Sequence, residues 1–369
     1  MGSVRTLLAI SVVFAHSYGF MFVGGPLAVQ LFYIISGFLI SYILVEAKNY
    51  TSLKGFYKNR FLRLYPIYWI VALATFAYYF VGGLILNNDL GSISIIKQLD
   101  FTGSLALIAS NILLVGQDWI MFTAFNDGIF HLTNDFRETD VNVWQGLLVP
   151  QAWTLGVEIS FYLLAPFILY NKRTILILLA ASLALRVYLI FIGLGLQDPW
   201  TYRFFPTELA FFLFGALSHQ ILKPYYEKLE VITNRSSYVI SCGIFAFCFS
   251  FFMLPYKPYF ALFLIAVFIL SLPFLFHFQS HNGWDRAIGE LSYPIYISHI
   301  LTIIVFRDNI LSHFGVEVTS LIGAIIVVIA TIFVSFMINL TVGRFFESIR
   351  SKVKLTQNPN VITANTRHE

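Results

Sequence analysis

Three groups of residues in this chain have the types and spacing to do chemistry. The first is Arg5 and His16, set in an otherwise apolar run. Eleven steps of about 100° make about three helical turns, so both side chains share one helix face, ~16 Å apart along the axis. That is roughly half of the ~30 Å hydrocarbon layer. A neutral imidazole at that depth can act as a general base near neutral pH. It can equally be a structural histidine hydrogen-bonded between helices. The second group is Arg60 and Arg63, in the stretch Phe56-Tyr57-Lys58-Asn59-Arg60-Phe61-Leu62-Arg63-Leu64-Tyr65-Pro66. Residues three apart share a helix face. Two guanidinium forks there suit a phosphate or pyrophosphate, and they also suit lipid headgroups. The third group is Glu158, with Tyr162 one turn later. A carboxylate inside a membrane helix needs a partner. His16 is a candidate, since both residues are expected in the outer half of the membrane. Such a pair would orient the ring and raise its basicity. Capping by tyrosines is the other reading.

These residues need scaffolding, and composition says what kind. Of 369 residues, 58% are hydrophobic and only 11% charged, less than half of the ~25% charged share in soluble domains. A soluble fold could not hide so much apolar surface. Composition therefore excludes a cytosolic globular enzyme, a disordered protein and a nucleic-acid binder. The expected fold is an all-α integral membrane protein, a single bundle of about ten transmembrane helices. The expected spans are 6–23, 27–45, 65–86, 152–170, 174–194, 207–222, 238–254, 259–278, 291–310 and 319–342. An even number places both termini on one side. With that side cytoplasmic, only Lys97, Arg137, Arg186, Arg203, Lys257 and Arg307 of the 23 Lys and Arg residues fall elsewhere, in keeping with the positive-inside rule. Residues 87–151 are then outside, with 105–125 dipping into the membrane as a re-entrant segment. The expected organisation is a transmembrane domain over 5–342 and a cytoplasmic polar tail over 343–369, disordered from Ser351. The first apolar run lacks a small-residue cleavage site and reads as a permanent span.

Several features are set aside. Cys242 and Cys248 share one apolar run but point in different directions on a helix. His131, His219, His277, His281, His313 and His368 fall in loops or at span ends, where a histidine is usually solvated or interfacial. No metal-ligating, Walker, Rossmann or nucleophile-elbow motif occurs, so no metal is expected.

Taken together, the motifs resemble the acyltransferase-3 family of integral-membrane acyltransferases. Arg5, ten residues and His16 match its first-span motif. Leu31-Phe32-Tyr33-Ile34-Ile35-Ser36-Gly37-Phe38-Leu39-Ile40 resembles its FFxxSGFL span. Arg60-x-x-Arg63 with Tyr65-Pro66-x-Tyr68 resembles its third-span entrance. Trp153-Thr154-Leu155-x-x-Glu158-x-x-Phe161-Tyr162 is similar to WSLxxExxFY, and Ser292-Tyr293 through Tyr296 to His299 is similar to a late SYxxYLxH span. The resemblance covers residues 5 to about 340. Gln30 departs from it, where an acidic residue is common.

The resemblance implies an acyl-CoA-dependent O-acyltransferase in the bacterial inner membrane. The acyl group, expected to be acetyl, would pass from cytoplasmic acyl-CoA to a hydroxyl of a surface or exported glycan such as a lipopolysaccharide, an exopolysaccharide or peptidoglycan. Arg60 and Arg63 would hold the CoA phosphates, with Arg5 helping to position the donor. His16 would deprotonate the acceptor hydroxyl or accept the acyl group itself, and Glu158 would orient or charge-stabilise it. Ser36, Trp153, Tyr162 and His299 would line the cavity. Trp119 and Trp144 of the outer segment would offer faces to a sugar. Expected partners are membrane lipids, a glycan or lipid-linked glycan acceptor and polysaccharide-assembly proteins, with no nucleic acid. The competing expectation is a multi-span transporter or flippase for an anionic or glycan substrate, since intramembrane His, Arg and Glu also serve transport. Paired inverted halves are not visible in the sequence.

Overall fold

A computed structural model describes residues 1–48, 50, 52–86 and 90–357. Its elements are helices, in chain order α1 (Gly2–His16), α2 (Gly25–Ser41), α3 (Leu53–Leu86), α4 (Ser92–Gln98) and α5 (Phe101–Leu113). A short hairpin follows, β1 (Thr123–Asn126) and β2 (Ile129–Leu132). Then come α6 (Trp153–Ile168), α7 (Lys172–Phe191), α8 (Phe205–Leu217), α9 (Lys223–Lys228) and α10 (Asn234–Ser250). The chain continues through α11 (Lys257–His281), α12 (Gly283–Glu290), α13 (Ser292–Asn309), α14 (Leu321–Ile338) and α15 (Arg344–Gln357). The hairpin is the only sheet among the described residues. Asn126 pairs with Ile129 across Asp127-Gly128, both at positive φ, the backbone that a two-residue hairpin turn requires.

Among the described residues, seven stretches are long and apolar enough to cross a membrane: Gly25–Glu46, Leu53–Gly83, Lys172–Phe191, Asn234–Met253, Lys257–His281, Gly283–Asn309 and Leu321–Val353. This is an all-helical, multi-pass membrane protein. The three other expected spans fold as shorter helices, α1 of 15 residues, α6 of 16 and α8 of 13. At 1.5 Å per residue α1 is only ~22 Å long. It stops at His16, not at Val23, because Gly19 and Gly24 take positive φ and Pro26 opens α2. The stretch 105–125, expected as one dipping segment, is three elements. The helix α5 ends where Leu114 turns left-handed, Gly116 turns again, and a 3-10 turn over Gln117–Phe122 leads into β1.

Two compact units divide the described chain. The first comprises Met1–Arg63, Tyr162–Leu179 and the residues from Ala210 onward. Its centre is α1, packed against α2, α10, α12 and α13. Asp285 on α12 accepts hydrogen bonds from the backbone N–H groups of Gly2 (2.7 Å) and Ser3 (2.8 Å), and so caps α1. The N-terminal donors of a helix have no partner within it, and here a neighbouring helix supplies one. Two glycines let α2 and α8 touch backbone to backbone. A Cβ on Gly37 would sit 1.9 Å from the Phe212 carbonyl oxygen, and one on Gly215 would sit 1.9 Å from that of Ile34. This is the small-residue packing that membrane helices use, and it explains the glycine of the Ser36-Gly37-Phe38 motif.

The second unit comprises Leu64–Phe161 and Ala180–Leu209. Its polar ties anchor the irregular segments. Tyr68 donates to the Asn111 carbonyl (2.7 Å), and Asn111 in turn donates to Gly146 O (3.0 Å) and accepts from Leu148 N–H (2.8 Å).

At the C-terminus, residues 344–357 form α15. The tail expected to be disordered from Ser351 is helical to Gln357, because Glu347 and Arg350 pair along one face. The rest of that expected tail, 358–369, lies outside the described residues.

Candidate active site and anion site

His16 is the last residue of α1 and is exposed. Its ring lies 5.1 Å, centroid to centroid, from that of His299 on α13. His299 is fully buried. Its Nδ1 lies 2.6 Å from the Tyr296 carbonyl oxygen. A carbonyl only accepts, so Nδ1 carries the proton and Nε2 is left as an acceptor. That Nε2 is buried with no hydrogen-bond partner. The pair thus consists of one exposed imidazole and one imidazole held in place beside it. Arg5 stands on the same helix, half-buried.

The guanidinium group of Arg60 is the second feature of the first unit. Arg60 is 4% exposed. Its Nη2 donates to Asn59 Oδ1 at 2.8 Å, and the rings of Phe56 and Tyr162 lie 5.9 and 5.8 Å from its central carbon. Its Nε and Nη1 are buried without a hydrogen-bond partner. Among the described residues no carboxylate lies within ion-pair distance of it. Tyr162 also approaches Ser36, hydroxyl to hydroxyl at 3.5 Å. Arg63 is half-buried one turn along α3. Arg350 reaches this group from α15, its Nη2 3.5 Å from Asn59 Oδ1, while Asn59 Nδ2 donates to the Arg350 carbonyl at 3.5 Å. Tyr50 lies beside Arg60 and feels the charges of Arg350 and Arg63. Burial raises its phenol pKa, and the charges of Arg60, Arg350 and Arg63 pull it back down.

Glu158 and Trp153 belong to the second unit. Glu158 is half-buried on α6. Trp153 is buried, and one ring face is covered by Arg203 at 4.4 Å, itself held by Asp198 at 2.6 Å. Trp119 is exposed, and Trp144 is half-buried with its Nε1 donating to Asn142 at 3.3 Å.

Three residues have roles that the sequence reading did not assign. His219, set aside as interfacial, is buried and hydrogen-bonded at both ring nitrogens, to Ser41 Oγ and Glu46 Oε2 at 2.9 Å each. Asp118 is 2% exposed, with Oδ1 lacking a partner. Burial pushes its carboxyl up to about 7, against the N–H groups of Asp118 and Trp119. Gly156 makes room for it, since a Cβ there would lie 2.5 Å from Asp118 Oδ1. Arg350 is the third. Among the described residues no group of acidic, His or Cys side chains could hold a metal ion.

The profile of the Acyltransferase domain family, acyltransferase-3 type, matches residues 2–340. The chain belongs to this family. Its relatives include the peptidoglycan O-acetyltransferase OatA of Listeria monocytogenes, 25% identical over 325 residues, or 80% of this chain and 48% of that protein. Nodulation protein 10 of Rhizobium leguminosarum is 25% identical over 45% of this chain and 42% of its own length. An uncharacterized protein of Aquifex aeolicus is 28% identical over 42% of this chain and 70% of its own. The chain thus spans about half or less of the two named relatives. No solved structure matches it.

Proposed function

We propose that this membrane acyltransferase is an O-acetyltransferase, moving acetyl from cytoplasmic acyl-CoA to a hydroxyl of a surface or exported glycan. The observation that carries the reading is the exposed His16 imidazole beside the fixed ring of His299. His16 takes the proton of the acceptor hydroxyl. The freed oxygen attacks the thioester carbonyl, the new C–O bond forms, the C–S bond breaks, and CoA leaves as the thiol with the proton. A two-step route through an acyl-imidazole on His16 gives the same balance. His299, held by its bond to the Tyr296 carbonyl, positions His16. Arg60 and Arg63 take the donor's phosphates, with Arg5 on α1 as a further donor-side cation. Tyr162 lines the donor side through its contact with Arg60, and Ser36 through its contact with Tyr162. Support for the acceptor class comes from the family and from the printed activity of the Listeria relative. The bacterial inner membrane is the location where acyl-CoA and an exported glycan meet.

Membranes carrying the protein should pass labelled acetyl from acetyl-CoA to glycan. His16→Ala should lower the rate by about 10²–10⁴, the usual share of a general base, at equal protein level. Transfer by His16→Ala at the wild-type rate would remove His16 from the chemistry. No transfer by the wild type from any acyl-CoA, with uptake of an anionic or glycan substrate instead, would favour transport.

A further inference from the structure

A buried arginine without a counterion is costly unless something anionic visits it. Arg60 is such a residue, with two N–H-bearing nitrogens unmatched. Arg350 doubles the problem. Its Nε is also buried and unpartnered, although exposed Glu347 holds its Nη1. Arg63, half-buried, acts electrostatically on both Arg350 and Tyr50. Two guanidinium groups, those of Arg60 and Arg350, therefore meet at one amide, Asn59, with Arg63 acting electrostatically on Arg350 and the exposed Glu347 on its far side. Charges of one sign gathered in this way repel one another, and a multiply charged anion between them turns that repulsion into binding energy. Two of the three come from α3. The third comes from α15, which lies beyond residue 340, the end of the family match.

We propose that Arg350 is a third ligand of the donor's phosphates, so that α15, outside the family domain, completes the site and sets its preference for a phosphate-rich donor. This rests on the donor reading given above. A single phosphate satisfies one bidentate fork well. Three forks match a ligand carrying several phosphates, as CoA does. Anionic lipid headgroups share that chemistry and are the other source to separate.

Acyl transfer should be measured in nanodiscs of neutral lipid, with acetyl-CoA and with S-acetylpantetheine, which lacks the phosphates. The expected result is that Arg350→Gln raises KM for acetyl-CoA about 10–100-fold, the worth of a charge-assisted bond, with kcat little changed. The loss with acetyl-CoA should exceed the loss with S-acetylpantetheine at least tenfold, and Arg350→Lys should recover part of it. Equal losses with both donors would make Arg350 structural and overturn the inference, as would no loss at all. If Arg350→Gln does not fold, Arg350→Lys and Glu347→Gln carry the test. The first should raise KM for acetyl-CoA and the second lower it, and an unmoved KM in both would overturn the inference. A wild type that uses both donors equally well would sink the phosphate site but leave acyl transfer standing. A wild type that uses neither would sink the donor reading itself. Inhibition of acetyl-CoA use by added phosphatidylglycerol in the wild type but not in Arg350→Gln would assign the site to lipid headgroups instead.

Discussion

Two arginines, the half-buried Arg186 of the second unit and the buried Arg60 of the first, have opposite surroundings. Arg186 reaches the fully buried carboxylate of Glu208 and the carbonyl oxygens of Thr201 (3.0 Å) and Thr207 (3.1 Å). Arg60 meets one amide, two aromatic faces and the phenol of Tyr50, none of them a carboxylate. The first arrangement is balanced in charge, because a carboxylate faces the guanidinium group. The second is unfinished as it stands. A protein has no reason to bury a lone guanidinium for stability, since breaking or omitting the partner of a buried charge is expensive. The contrast separates an arginine that holds a fold together from one that waits for a ligand.

The sharpest way to break this comparison is to remove Glu208. Glu208→Gln leaves Arg186 without its carboxylate and should destabilise the protein by about 3–5 kcal/mol, read as a lower unfolding temperature in detergent. An unchanged temperature would mean that the pair is not structural. Asp118 is the acidic counterpart of Arg60, a buried carboxyl with an unmatched oxygen. Its folded pKa of about 7 lies above the ordinary 3.8. The folded state keeps a proton that the unfolded chain releases between those values. Its contribution to stability is therefore whole below about pH 4 and falls as pH rises to about 7. The loss is on the order of a few kcal/mol. Asp118→Asn should flatten that slope in unfolding measured across the same range, and a slope identical to wild type would refute the assignment.

Arg60→Met should act on the other side of the comparison. It removes an uncompensated buried charge, so the ligand-free protein should unfold no earlier than wild type. KM for acetyl-CoA should rise about 10–100-fold. The smallest effect is expected at His299, whose role is to position. His299→Gln should lower kcat about 10-fold with KM for acetyl-CoA retained, whereas a donor-binding role would move KM instead.

How much of this was legible in the sequence follows from what each residue depends on. Long apolar helices such as α11 and α14 are local facts, and hydropathy finds them. The early end of α1 was missed because Phe20-Met21-Phe22-Val23 continues the apolar run. The signal was present in Gly19, Gly24 and Pro26, whose backbone preferences outweigh hydropathy. The polar residues from Ser351 read as a disordered tail, yet through Gln357 they continue α15, which Glu347 and Arg350 at helical spacing favour. Arg60 and Arg63 were visible as a spaced pair. Arg350 was not, because it meets Asn59 across 291 residues of chain, and no local pattern records that. Asp118 and His219 were hidden for the same reason, since Gly156 makes room for one and Ser41 and Glu46 hold the other. His299 was readable only as a motif position. Its fixed tautomer comes from a carbonyl one turn back on α13.

The central claim is that Arg60 is buried for a ligand and not for the fold. The direct measurement is the unfolding temperature of wild type and Arg60→Met with and without saturating CoA. Ligand that binds only the folded state raises this temperature. The account predicts a saturable rise in wild type, none in Arg60→Met, and a ligand-free variant at least as stable as wild type. An equal rise in both proteins, or a ligand-free Arg60→Met as unstable as Glu208→Gln, would contradict it.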